Sequence, residues 1–310
     1  MVEYQMIQGS KGSRLTKGVF IMADYAISTD STADLMQNFV DEHNIVIQDL
    51  GFSFGEENYR GISDMSPAIF YERMRKGDVA KTNACIPGDV KASFEKILKE
   101  GKDILHLSFS SGLSASYNVA KLVAEELADE YKDRKIRVID SLCAAPGQGL
   151  FVYYAVKAKE GGMSLSDNAE YLENLKLHVC HEFTVEDLKY LARGGRISKT
   201  TAVIGNIINL KPVLHVDNAG HLINISKARG RRQSLNALVD HMAGHLTDEF
   251  KNEVVFIGHG DSLQDAEYVR DLVKERFGIN NFVINYLSPT IGAHSGPGTI
   301  ALFYLGNGRE

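Results

Sequence analysis

The residues best placed to do chemistry in this chain are hydroxyls beside apolar runs, a histidine in a glycine-rich stretch, and clustered arginines. Ser110-Ser111-Gly112-Leu113-Ser114 follows the apolar run Ile104–Phe109 and precedes a helical period that sets Val119, Leu122, Val123, Leu127 and Tyr131 on one stripe. A buried strand that turns through serines into a helix leaves hydroxyls and free backbone N–H groups at the helix N-terminus. That end carries positive partial charge and can seat a carboxylate or phosphate. The same serines would serve equally well as helix caps. Gly292-Ala293-His294-Ser295-Gly296-Pro297-Gly298 holds one histidine among three glycines and a proline. Such a composition fixes an unusual backbone path around a group that hydrogen-bonds anions and titrates near neutrality. A tight turn with a solvated histidine is the plain alternative.

Thr29-Asp30-Ser31-Thr32 follows a short strand at 25–28. Ser31 and Asp34 have capping-box spacing, while the carboxyl end of a first parallel strand is also where open α/β sheets keep ligands. Thr82 adds a hydroxyl in the polar loop Lys81–Asp89, where it needs no role. Arg193 and Arg196 flank Gly194-Gly195 and could reach either a ligand or neighbouring carboxylates. Lys227, Arg229, Arg231 and Arg232 gather at the start of a long helix, where the macrodipole disfavours cations. That leaves a solvated patch, or docking of an acidic partner or a phosphate. His178, Cys180 and His181 do not suggest a metal. In a strand His181 faces away from the other two, and no carboxylate pattern completes a set.

These groups must be held by a chain of 310 residues, 44% hydrophobic and 24% charged, enough for one large or two modest globular domains. A net charge of −6 argues against a nucleic-acid surface. Three cysteines without short spacing fit neither a disulfide framework nor a cysteine zinc site, and a reducing cytoplasm is the natural setting. No apolar run reaches the roughly 20 residues of a membrane helix, so no stable membrane anchoring is expected. Residues 1–22 read as an aperiodic leader ending at a second methionine.

From Tyr25 onward strands alternate with amphipathic helices, which predicts βαβ units and a mostly parallel sheet. Gly51–Gly61 reads as a hairpin or excursion, and Ser141–Gly149 as a small-residue loop before a helix to about Lys159. From about Ser164 the pattern changes. A helix is expected over Thr200–Ile208, Asp217-Asn218-Ala219-Gly220 is a strong hairpin signal, and further strands lie at 254–258, 282–287 and 300–305. The expectation is an α/β protein of two domains. A three-layer α/β/α domain with a parallel sheet spans 23–168, and a smaller two-layer α/β domain with a mixed sheet spans 169–310.

Taken in order, Thr29–Thr32, Thr82, Ser110–Ser114, Tyr190-Leu191 with Arg193–Ile197, Lys211-Pro212 and Gly292–Gly298 resemble DegV proteins over about Tyr25–Leu305. Asn83-Ala84-Cys85 departs from the Ser-Gln-Pro often found there, and Ala115-Ser116 from Gly-Thr. The resemblance implies a cofactor-free carrier that buries one long-chain fatty acid and presents its carboxylate to a separate, ATP-using fatty acid kinase. Thr82, Ser114 and His294 then match the groups that hold the carboxylate. Arg193 and Arg196 match the segment beside the site, and Ser111 and Asp30 lie in the matched motifs. Arg229, Arg231 and Arg232 fall where a kinase-facing surface is plausible. The family is also related in fold to dihydroxyacetone kinase substrate domains.

Hydroxyls, an imidazole and a helix N-terminus can satisfy a carboxylate, whose burial alone would be costly. The tail must then supply affinity: about 14 methylenes at ~0.8 kcal/mol each give ~11 kcal/mol before association costs. A channel opened between the apolar faces of the first domain's helices is the expected seat. The competing readings are a Ser114/His294 hydrolase, which lacks a G-x-S-x-G elbow and an assignable acid, and a small-ketone or sugar-phosphate site on His294.

Overall fold

The computed structural model describes residues 25–198 and 209–310, so the expected leader at 1–22 and the helix at 200–208 lie outside the described residues. The first half contains β1 (Tyr25–Asp30), α1 (Gln37–Glu42), β2 (Val46–Gln48), β3 (Phe52–Phe54), β4 (Glu57–Tyr59), α2 (Pro67–Arg75) and β5 (Ala80–Thr82). It continues through α3 (Pro87–Lys99), β6 (Asp103–Ser108), α4 (Ser116–Glu130), β7 (Ile136–Asp140), α5 (Pro146–Glu160) and α6 (Leu165–Leu175). The second half holds β8 (Val179–Thr184), α7 (Lys189–Arg193), β9 (Leu210–Val216), β10 (Leu222–Arg229) and α8 (Arg231–His245). It ends in β11 (Val255–His259), α9 (Leu263–Phe277), β12 (Phe282–Tyr286), α10 (Pro289–Ser295) and β13 (Ile300–Leu305).

Strands β2-β1-β6-β7 form an all-parallel sheet, as the alternation of strands and helices predicts. Both faces of its central strands are covered, so nearly every residue of β1 and β6 is buried, polar ones included. On one face α3 and α4 bury Phe94, Ile97, Val123 and Leu127 against Ile104. On the other lie α5 and α6, whose Asn168 Nδ2 donates to Tyr25 Oη and to the Ala155 carbonyl, both at 2.8 Å. The second sheet, β10-β9-β8-β13-β11-β12, is mixed, with a parallel β11–β12 pair at one end. The fold class is therefore α/β with a parallel and a mixed sheet.

Period two sorts the mixed sheet's residues between its faces. Cys180, Leu302 and Tyr304 turn to α8 and α9, while Phe183, Ala301 and Phe303 join the opposite core. Helix α5 lies between the two sheets and touches β1 and β6 on one side, β8, β11 and β13 on the other. From Pro146 to Ala158 only Tyr153 and Lys157 escape burial, as a helix apolar on all sides requires. The expected loop through Gly149 is shorter than its glycines suggest. Gly147 and Gly149 are helical, and a Cβ at either would lie 2.3 Å from His181 Nε2 or 2.4 Å from the Ala33 carbonyl oxygen.

Other local expectations are corrected. Ser31 caps no helix: residues 31–33 form one 3-10 turn, Ser31 Oγ accepts the Leu50 N–H at 3.0 Å, and Asp34 turns back at φ 50°. Thr82 lies on β5, paired with Phe52 in a three-stranded antiparallel sheet, rather than in a loop. β10 runs on to Arg229, so Lys227 and Arg229 sit on a strand and only Arg231 and Arg232 open α8.

Glu182 is buried on the α8/α9 side of the mixed sheet, where Tyr304 Oη donates to Oε1 at 3.4 Å and Oε2 accepts no hydrogen bond. Burial raises its carboxyl to about 8. Between its unfolded and folded pKa values the native state holds a proton that the unfolded chain has released, so stability falls as pH rises through that window. Glu182→Gln should remove this slope and gain on the order of 3 kcal/mol over wild type at about pH 8 relative to about pH 5. Urea unfolding across that range checks it, and an unchanged slope refutes the assignment.

Candidate binding site

A cavity of about 270 Å³ opens between the two sheets. Its apolar wall comes from the inner face of the mixed sheet, with Phe183, Ala301, Phe303 and Val216, met by Phe109 and Leu113 from the loop after β6. The expected channel between the first domain's helices is corrected here, because the apolar faces of α3 and α4 are consumed by their own sheet.

Thr82, Ser114, His294 and Arg196 all line this cavity, although they lie on β5, at the start of α4, on α10 and after α7. Thr82 Oγ1 is 2.7 Å from His294 Nε2. The expected irregular path at 292–298 is in its first part the short helix α10, set by Pro289 at its start. Gly292 allows α10 to lie against α2, since a Cβ there would stand 2.5 Å from Tyr71 Oη. Gly194 does the same for the histidine: its Cβ would lie 2.0 Å from His294 Nδ1. Burial first, and the charge of Arg196 second, push the imidazole down to about 4, so it is neutral at physiological pH. Its Nδ1 is buried and has no hydrogen-bond partner among the described residues.

Ser114 stands at the N-terminus of α4, where its Oγ accepts the Ser116 N–H at 3.2 Å and shares a hydrogen bond with Ser116 Oγ at 2.9 Å. Arg196 donates through Nε and Nη2 to the Leu113 carbonyl at 3.1 and 2.8 Å, and through Nη1 to the Gly194 carbonyl. Among the described residues no carboxylate pairs with it, and burial lowers its pKa. A guanidinium remains charged even so, which leaves a cation facing an apolar cavity and open to an anion. His294 bonds Thr82 rather than Ser114, and among the described residues no carboxylate orients its Nδ1 and no Ser–His–acid relay is assembled.

The remaining sequence candidates lie elsewhere. Asp30 is fully buried between β1 and β6, where Oδ2 accepts the Phe109 N–H at 2.5 Å and the Ser108 hydroxyl at 3.1 Å. It splices strands and does not line the cavity. Ser111 is exposed and donates its N–H to Asp140 Oδ1 at 3.1 Å, while Ser110 Oγ donates to the Gly220 carbonyl at 2.8 Å. Of the serine cluster only Ser114 reaches the cavity. Arg193 is exposed with its guanidinium 5.7 Å from the Tyr190 ring centre. Arg231 pairs with Asp265 at 2.8 Å and Glu186 at 3.5 Å, and Arg232 lies 3.3 Å over Tyr268. Local partners therefore account for both cations at the start of α8, and Arg229 is exposed on β10.

Sequence reasoning missed His181, which lines the cavity. Its Nδ1 lies 2.8 Å from the Val179 carbonyl and its Nε2 accepts the Ala144 N–H at 3.1 Å, which fixes the proton on Nδ1. Burial and Arg309 hold its pKa well below the ordinary value. The available signal was its place two residues before Phe183 on one strand face. Among the described residues no cluster of histidine, cysteine or acidic groups could hold a metal, and no helix is long and apolar enough to cross a membrane.

A family model described as "Uncharacterised protein, DegV family" matches residues 24–307. A DegV domain-containing protein of Clostridium perfringens is 37% identical, over 93% of this chain and all of its own, and one of Lactococcus lactis is 32% identical, over 91% and 97%. Among solved structures, a stearic acid-binding protein of Eubacterium ventriosum is similar at TM-score 0.85 and 25% identity, covering 91% of this chain and 98% of its own. DegV of Bacillus subtilis, described as a fatty acid binding protein, is similar at TM-score 0.79 and 25% identity, covering 92% of this chain and all of its own. With a matching family model and curated relatives that both run nearly end to end, the chain belongs to the DegV family.

Proposed function

We propose that this protein is a carrier that buries one long-chain fatty acid in the cavity between its sheets and presents the carboxylate to a separate kinase for acyl phosphate formation. The observation that carries the reading is the apolar cavity in whose wall Thr82, Ser114, His294 and Arg196, which pairs with no carboxylate among the described residues, converge. The similar proteins of Eubacterium ventriosum and Bacillus subtilis, described as binding stearic acid and fatty acid, support the same ligand class. Arg196 supplies the countercharge, the hydroxyls and the neutral imidazole fix the head group, and Phe183, Phe303 and Val216 meet the alkyl chain. A largely apolar wall speaks against a sugar phosphate, whose hydroxyls would go unsatisfied there. Arg229 and Arg193, both exposed, face the kinase in this reading, in the cytoplasm where ATP is at hand.

Solvent extraction of the purified protein followed by mass spectrometry is the direct test. Recovered long-chain fatty acid, or saturable binding of oleate by the delipidated protein, is expected, and neither appearing sinks the reading. Ser114→Ala combined with His294→Ala should weaken oleate binding by no more than about tenfold, because the tail supplies most affinity. Acyl phosphate formation by an added fatty acid kinase should fall further, since these groups orient the carboxylate. A normal phosphorylation rate in the double variant would remove both residues from the site.

A further inference from the structure

The inner face of the mixed sheet meets the cavity in two cross-strand rows. In the first, Ala301 pairs with Phe183. In the second, Phe303 pairs with His181 and Val216 with Leu222, and the β8–β9 register, with Glu182 opposite His215, sets Val216 beside His181. All four residues of the second row line the cavity. Leu305 and Val179, paired in the next row on that face, are buried in the core and do not line it. On this wall the cavity therefore ends at the second row. Its head-group end is fixed by Thr299, whose Oγ1 donates to the Ser295 and Gly296 carbonyls at 3.0 and 2.8 Å, beside His294. From Thr299 to Phe303 extended backbone covers about 13 Å, at ~3.3 Å per residue.

The second row is held rigidly. His181 and Phe303 meet edge to face, with ring centres 5.3 Å apart and planes at 85°. Helix α5 lies behind them: a Cβ on Gly147 would stand 2.3 Å from His181 Nε2 and 2.7 Å from Phe303 Cδ1, so neither ring can step back. The Ala144 N–H and the Val179 carbonyl engage both imidazole nitrogens, which leaves ring carbons for an alkyl chain to meet. In the first row, by contrast, the small Ala301 leaves a lane open beside Phe183. On the fatty acid reading, we propose that Leu222, Val216, His181 and Phe303 form the stop against which the methyl end of the bound acid rests, and so set the longest chain the protein accepts. An acid that just reaches this row is held at both ends. Each further methylene must kink the chain or draw the carboxylate away from Arg196 and Ser114.

Titration of the delipidated full chain with laurate, myristate, palmitate, stearate and arachidate tests this. Wild-type affinity should climb along the series and then drop at the first acid too long for the stop. Phe303→Ala should move that drop to the next longer acid. The affinity ratio of the longer acid to the shorter should rise about tenfold (~1.4 kcal/mol), roughly what two seated methylenes contribute. Leu222→Ala, at a half-buried position on the edge strand β10, disturbs packing less and should shift the ratio in the same direction. Leu305→Ala hollows the core behind the row and should lower the melting temperature without moving the drop. An unmoved drop in Leu222→Ala or in folded Phe303→Ala overturns the proposal, as does an equal shift in Leu305→Ala. These outcomes leave the fatty acid reading standing, whereas a wild type that binds none of the acids overturns that reading and the stop together.

Discussion

Ala301→Phe is expected to abolish tight binding of long-chain fatty acids while the protein stays folded. Ala301 is 5% exposed, lines the cavity, and sits beside Phe183 across the β8–β13 pairing and two residues from Phe303 on the same face. A phenyl ring there points into existing space of about 270 Å³ and leaves the strand ladder untouched. An acyl chain needs that volume. Losing the seats of four or five methylenes at ~0.8 kcal/mol each costs ~3–4 kcal/mol, which lowers affinity by a factor of several hundred. Oleate titration of the delipidated variant gives the result, with circular dichroism and thermal melting to confirm the fold. Wild-type affinity in a folded Ala301→Phe protein would show that the chain lies elsewhere.

Gly194→Ala attacks the other end of the ligand. The backbone there is ordinary right-handed helix, at φ −73° and ψ −9°, so alanine fits the main chain and is favoured by helix propensity. Only the methyl group is wrong, because it would stand 2.0 Å from His294 Nδ1. The ring must leave Thr82 or α10 must shift, and neither keeps the 2.7 Å contact. Discrimination between oleate and oleyl alcohol, which share a tail and differ in the head group, should fall by about tenfold (~1.4 kcal/mol). Affinity for the alcohol should hardly change. If the variant discriminates as well as wild type, His294 does not contact the head group.

Ser114 and His294 could be picked out from sequence because each breaks a local pattern. One sits where a strand period gives way to a helical one, the other among glycines. That they line the same cavity could not be read, since long-range packing brings α10 to the three-stranded sheet through Gly292 and Tyr71. Asp30 looked equally suited, yet a buried carboxylate at a strand end serves as readily to hold Phe109 as to hold a ligand. Arg231 was misjudged for a similar reason. Its position against the macrodipole is offset by Asp265 and Glu186, distant in sequence and invisible to helix rules. The parallel sheet and the 217–220 hairpin were legible throughout, because period and turn chemistry are local. Thr82's strand was not, being three residues long and paired, among the described residues, only with β3.

Because α5 is wetted on almost no side, it belongs to neither sheet alone. Cutting the chain after it would strip the mixed sheet of its cover, and cutting before it would bare the parallel one. Separately expressed halves should therefore aggregate, whereas the intact chain should melt in a single cooperative step.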